Sequence, residues 1–276
     1  MPKIVRLEEA PTDAGSTAYT MRGEGTPIGT IAIITRDHIS AAAATSLMML
    51  DYSWLPKSMS ISRIIIQGGI LTMQRNEAVQ RMEGEWLLFI DDDMVFPPDS
   101  VSKLMEVQKQ HDFDILGGLC FCRRPPHQPT LYMREGPTSG GYNFLERWDD
   151  GPVEVDATGL AFCLITKRAL ELIAGSRMPS YEERTTGKPP SFFRWNNIVG
   201  EDLGFCQDAK EAGCRIWVDT RIEIGHVSEF TVDKTWFWKE VAARDFETET
   251  RRMEMNEKMG LPTLTAEEAK EKLGWS

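Results

Sequence analysis

The stretch that most constrains this chain is GEWLLFIDDDMVFPPD, residues 84–99. Trp86 to Ile90 form an unbroken apolar run, bounded by polar residues and prolines. So short and so apolar a run reads as a strand covered on both faces, as strands inside an α/β sheet are. It leads directly into Asp91, Asp92 and Asp93. Ligands of open α/β sheets collect beyond the carboxyl ends of the strands, so the triplet predicts a site. Three adjacent carboxylates repel one another, and beside a buried strand that repulsion is poorly screened. A hard divalent cation, Mg²⁺ or Mn²⁺, relieves it. A polar turn is the plainer reading. It suits Asp99 better, which precedes the helical pattern Val101, Leu104, Met105 and would cap that helix.

The flanking sequence reads as alternating strands and helices. Residues 1–27 are rich in Gly, Thr and Pro and predict a loose arm or an edge hairpin. Ile28–Thr35 is the first core strand, followed by Arg36, Asp37 and His38, with Ser40 capping an Ala-rich helix to Leu50. Strand followed by helix opens a nucleotide-binding βα unit, which makes Arg36 a candidate for the base or diphosphate. Ser62–Gln67 is the second strand, with Gln67 at its end as a further candidate contact. Gly68 and Gly69 permit a sharp turn there, and a helix over Thr72–Met82 carries Arg75 and Asn76.

Past the acid triplet come a helix to Gln110 and a strand over Asp114–Phe121. Residues 123–151 are too broken by proline and glycine for a core element and predict a functional loop containing a hairpin. Its Arg123 and Arg124 either reach a diphosphate or stay in solvent. Val153–Ile165 reads as strand, glycine bend and strand, with Gly159 allowing a close approach of ligand or backbone. Lys167–Ala174 is a helix. Residues 175–200, with Phe192, Phe193 and Trp195, predict a lid that excludes water when closed. Glu201 and Asp202 open a helix that stops at Gly213, Arg215–Val218 is a strand, and an alternating stretch ends near His226.

Composition bounds the partners. The 276 residues can bury a full core, and a net charge of −11 disfavours unaided binding to nucleic acid or anionic membranes. No apolar run approaches the roughly 20 residues of a membrane helix, and the first fifteen residues lack the apolar centre of a signal peptide. The five cysteines predict reduced, mostly buried thiols and a cytoplasmic location. No Walker loop, GxGxxG fingerprint, GxSxG elbow or HExxH site is present.

An apolar strand, an Asp-x-Asp, a Met and a Pro-rich step into a helix resemble the metal-binding signature of GT-A glycosyltransferases. The likeness is to the family 2-like and polypeptide N-acetylgalactosaminyltransferase-like branches and covers residues 28 to 230. It implies an α/β fold of GT-A type, a mostly parallel sheet flanked by helices. It implies metal-dependent transfer of a sugar from a nucleoside diphosphate sugar, a UDP-sugar first among the choices, to an acceptor hydroxyl. Asp93 and His226 would hold Mn²⁺ or Mg²⁺, with Asp91 bound directly or through water. Asp91 and Asp92 would also face the nucleotide, Asp92 at the ribose. Arg75 and Asn76 would line the nucleotide pocket, and Gly159 would lie under the donor sugar. Asp202 would be the general base and Glu201 a hydrogen-bonding partner of acceptor or donor. A base predicts inversion at the anomeric carbon, whereas the N-acetylgalactosaminyltransferase branch implies retention.

The expected organisation is an N-terminal arm (1–27), a catalytic domain (28–232) and a charged helical extension (233–276) that covers the acceptor site or pairs two subunits as a homodimer. Two rival readings use the same features. A nucleotidyltransferase acting on a sugar phosphate would want a glycine-rich basic loop where this chain has RDHISAAAAT. A non-catalytic sugar-nucleotide-binding protein would have no need of all three acidic and imidazole elements.

Overall fold

The computed structural model describes residues 4–12, 15–111, 113–124, 126–136, 141–195, 199–228 and 258. The chain divides into two units, Met1–Ser228 and Glu229–Ser276. The expected packing of Trp236, Phe237 and Val241 and the homodimer through the C-terminal helices lie outside the described residues.

The first unit begins with β1 (Ile4–Pro11), β2 (Thr17–Gly23), β3 (Thr26–Thr35), α1 (Ala41–Met49), β4 (Met59–Gln67), α2 (Leu71–Gln80) and β5 (Trp86–Asp91). It continues with β6 (Met94–Val95), α3 (Ser100–His111), β7 (Ile115–Leu119), β8 (Leu131–Arg134), β9 (Tyr142–Phe144), β10 (Pro152–Glu154), β11 (Ala157–Thr158) and β12 (Phe162–Thr166). Then follow α4 (Lys167–Ser176), α5 (Tyr181–Thr186), α6 (Glu201–Glu211), β13 (Ile216–Glu223) and β14 (Gly225–His226).

Among the described residues the main sheet has nine strands in the order β1-β2-β4-β3-β5-β12-β7-β13-β10. The N-terminal residues add to it as the β1–β2 hairpin, β2 pairing antiparallel with β4. The fold is mixed α/β, but the sheet is not mostly parallel. Only β4–β3, β3–β5 and β7–β13 pair parallel; β12 runs antiparallel to both its neighbours. An apolar run such as FCLIT is buried on both faces in either direction, so its composition carries no sign of its sense.

The run Trp86–Ile90 shows how the core is divided. Leu87 and Phe89 pack with Ile64, Ile66, Ala78, Ile165, Ala169 and Phe205 on the face covered by α2, α4 and α6. Trp86, Leu88 and Ile90 point the other way, among Ile31, Ile33, Leu104, Leu116 and Leu164. Side chains of a strand alternate, so both layers must be apolar for such a run to be stable. Close packing fixes where β5 starts: a Cβ on Gly29 would lie 2.1 Å from the Trp86 indole, so only glycine admits the ring. Gly68 and Gly69, at φ 81° and 82°, make the turn into α2. Gln74 then seats α2 on the sheet, donating to Thr35 O at 2.7 Å and Ile66 O at 3.1 Å. Among the described residues no helix is long and apolar enough to cross a membrane.

Candidate active site

One edge of the sheet collects most of the candidate side chains. Strands β3, β4 and β5 run parallel and end together, with Thr35 opposite Gln67 and Ile34 opposite Asp91. The antiparallel β12 brings the loop before it to the same edge, where Asp91 N donates to Ala161 O at 2.9 Å. Here a cavity of about 500 Å³ opens, and Arg75, Asp91, Arg123, Arg124, Tyr132, Gly159, Glu201, Asp202 and His226 are among the residues that line it.

The carboxylate–imidazole end is built by the short β6–β14 pairing, which sets His226 opposite Met94. Asp93 O accepts from Val227 N at 2.9 Å, locking that register. His226 Nε2 therefore lies 3.1 Å from Asp93 Oδ2, and its Nδ1 lies 2.9 Å from Phe121 O. A carbonyl only accepts, so Nδ1 carries a proton and Nε2 is the nitrogen turned to the carboxylate. The hydrogen bond to Asp93 raises the imidazole pKa, against the opposing effect of burial. Arg123 Nη1 donates to the same Asp93 Oδ2 at 3.0 Å.

This pair suits a divalent cation in three respects. Carboxylate and imidazole are both ligands of Mn²⁺. A backbone carbonyl on the far nitrogen is the usual orienting partner of a metal-binding histidine. The 3.1 Å separation is near the roughly 3.0 Å between adjacent ligands of an octahedron with bonds of about 2.1 Å. The expected third ligand is not assembled with them. Asp91 turns to the buried Arg75, whose Nη2 is 3.5 Å from its Oδ1. Asp91 ends β5 on the same face as Leu87 and Phe89, which is the α2 side, whereas the turn at residues 92–93 carries Asp93 toward β14. Among the described residues no group of three or more His, Cys, Asp or Glu that could hold a metal ion is present.

The acid end rests on the amino terminus of α6. Arg75, only 3% exposed, donates through Nη1 to Glu201 Oε1 at 2.7 Å, and its guanidinium lies 5.8 Å from the Phe89 ring centre. Asp202 Oδ1 accepts from Leu203 N at 2.7 Å. Burial raises the Asp202 pKa and the neighbouring Glu201 charge raises it further, with Arg75 opposing. Burial likewise raises Asp91, with Arg75 again opposing. A carboxylate held above its ordinary range is a stronger acceptor of a proton from a hydroxyl. Gly159 lines the cavity, and a Cβ there would lie 3.2 Å from Thr130 Cγ2.

Five expected residues, Arg36, Gln67, Asn76, Asp92 and Asp93, are not among the described residues lining the cavity; Asp93 meets it through its bond to His226. Arg36 is exposed past the end of β3, and Gln67 Nε2 donates to Asp37 O at 2.7 Å, bracing that same loop. Asp92 O accepts from Ser40 N at 2.9 Å, tying the acid turn to the start of α1. Asn76 is turned from the cavity, its carboxamide bonded to residues 191–193. Those residues are pinned to the core through the buried Phe192 and Phe193, while Trp195 is 73% exposed. Sequence reasoning missed Tyr132, whose hydroxyl lies 3.5 Å from Cys122 Sγ at the cavity wall. Its one signal was the short LYM run inside the irregular stretch 123–151.

Residues 70–161 match the family described as Glycosyl transferase family 2. The crystal structure of A197 from STIV is similar over 72% of this chain and 86% of its own, at 18% identity and a TM-score of 0.48. The crystal structure of S. aureus TarS 1-349 is similar over 72% of this chain and 60% of its own, at 14% identity and a TM-score of 0.42. The same TarS fragment in complex with UDP-GlcNAc gives 74%, 59%, 14% and 0.42. This chain thus spans about 60% of the TarS fragment. A search of curated proteins gives no match.

Proposed function

We propose that this chain, whose residues 70–161 match glycosyl transferase family 2, transfers a sugar from a nucleoside diphosphate sugar to an acceptor hydroxyl. One observation carries the reading: the Asp93–His226 pair and the raised carboxylate of Asp202 belong to the same edge, with His226 and Asp202 lining one cavity. Charge binding at one end and proton removal at the other are what glycosyl transfer from a diphosphate requires.

Asp93 and His226 would hold the cation, which when bound neutralises charge on the departing diphosphate. Arg123, which donates to Asp93 Oδ2, and the exposed Arg124 lie at the same end, where their guanidinium groups would meet phosphate oxygens. Arg75 holds Glu201 by a charged hydrogen bond, leaving Asp202 to accept the proton of the attacking hydroxyl. A base so placed supports inversion at the anomeric carbon, which the proton coupling of the product would read. Gly159 keeps the cavity wall free of a side chain.

The test follows free nucleoside diphosphate released from a panel of UDP-sugars with Mn²⁺, against pyrophosphate released from nucleoside triphosphates with sugar phosphates. The expected result is diphosphate release by the native protein and at least a hundredfold less by Asp93→Ala. Pyrophosphate release, or equal turnover by the variant, contradicts the reading.

A further inference from the structure

We propose that Asn76 is a positioning residue for the transfer: its carboxamide latches residues 191–193 and, through Phe193, fixes the acid-bearing start of α6 against β5. This rests on the reading of Asp202 as the base.

The carboxamide is fully committed. Oδ1 accepts from Phe192 N at 2.7 Å and Phe193 N at 3.1 Å. Nδ2 shares its two hydrogens among Phe193 O at 2.8 Å, Thr72 O at 2.8 Å and, more distantly, Ser191 Oγ at 3.2 Å. Two acceptor sites and two donor hydrogens are all that the group has, so it has nothing left for a nucleotide. Residues 191–193 belong to no helix or strand; Glu183 accepts from Ser191 N at 2.8 Å, and the backbone groups of Phe192 and Phe193 still need partners where their rings are buried. Asn76 supplies them from across the fold.

What the latch holds is a wedge. Phe193 meets Phe89 edge-on, with ring centres 5.5 Å apart, and stacks on Phe205 at 4.8 Å. Phe89 lies two residues before Asp91 on β5, and Phe205 lies one helical turn after Glu201 on α6. Phe193 thus spaces the strand that carries Asp91 from the helix that carries Glu201 and Asp202. The preceding residue, Arg75, grips Asp91 and Glu201 directly. Consecutive residues of α2 therefore set the two acid-bearing elements, one by charge and one by backbone hydrogen bonds and ring packing. A shift of about 1 Å in a reacting group can cost about a hundredfold in rate, so loss of the latch is read in turnover before binding.

The experiment compares Asn76→Ala and Asn76→Asp in the full chain, by Mn²⁺–UDP affinity and by turnover per UDP-binding site. Asn76→Ala is expected to lower kcat at least tenfold, with UDP affinity and donor KM changed less than twofold. Asn76→Asp keeps an oxygen for the Phe192 and Phe193 N–H groups and is expected to fall between Asn76→Ala and the native protein. Unchanged kcat per binding site, with only less folded protein, overturns the proposal by showing a purely structural role. UDP affinity lost in step with kcat also overturns it, by placing Asn76 on the donor. Absence of UDP binding and turnover in the native protein removes the functional reading instead, and amide hydrogen exchange then decides the latch. Faster exchange at residues 201–206 of Asn76→Ala, with β5 unchanged, retains it; uniform exchange overturns it.

Discussion

The imidazole of His226 lies 3.1 Å from the carboxylate of Asp93, across 133 positions of the chain. The two-residue strands β6 and β14 set this contact by pairing Met94 with His226, and the Phe121 carbonyl fixes the ring. A buried strand, a tight acid turn and a returning strand thus place a carboxylate and an imidazole on one spot at the sheet edge.

The Arg75–Glu201 pair is buried, so breaking it from one side should be severe. Arg75→Met leaves the Glu201 charge without its partner, at a cost of about 3–5 kcal/mol in urea denaturation. Arg75→Met with Glu201→Gln should recover the part of that loss due to Glu201, with Asp91 still lacking its partner. Strictly additive losses in the double variant would contradict the pairing as the source of the effect.

Asp202 has a raised pKa in the folded protein, first because of burial and then because of the Glu201 charge. Its contribution to stability is therefore complete below the unfolded carboxylate pKa of about 3.9 and is lost as pH rises through the folded value. Asp202→Asn keeps an oxygen for Leu203 N and removes that loss. The variant should melt higher than the native protein at pH 7 while transferring sugar at least a hundredfold more slowly, the trade-off expected if this half-buried carboxylate is the base. A lower melting temperature at pH 7, with the two proteins alike at pH 3, would contradict the assignment.

Glu183 shows the opposite sign. Its carboxylate is depressed to about 2, chiefly by Arg177, with further bonds from Ser191 N and Ser180 N. Its stabilising contribution is present above the unfolded value of about 4.3 and fades as pH falls toward about 2. Glu183→Gln should therefore lower the melting temperature at pH 7 and converge with the native protein near pH 2. A constant difference across that range would show that the charge is not what holds α5 to residue 191.

Much of this was legible in the residues. The run Trp86–Ile90, the acid triplet, the glycine pair before α2 and the helix opening at Glu201 all carry local signals that the structure follows. The sense of β12 was not legible, because burial on both faces erases the alternation that separates strand environments. The use of Asn76 was not legible either: an Arg-Asn pair on a helix reads the same whether the amide meets a ligand or the backbone of a segment 116 residues on. Asp91 and Asp93 are two residues apart, yet they part company because the strand ends between them. Tyr132 was hidden in an irregular stretch whose proline and glycine content announces a loop and says nothing of which side chain turns inward.

The most direct test of the account is calorimetric titration of UDP into the native protein and into His226→Ala, each with and without Mn²⁺. The account predicts that Mn²⁺ tightens UDP binding at least tenfold in the native protein and less than twofold in the variant. UDP binding that ignores Mn²⁺ in the native protein, or that responds equally in both proteins, would contradict it.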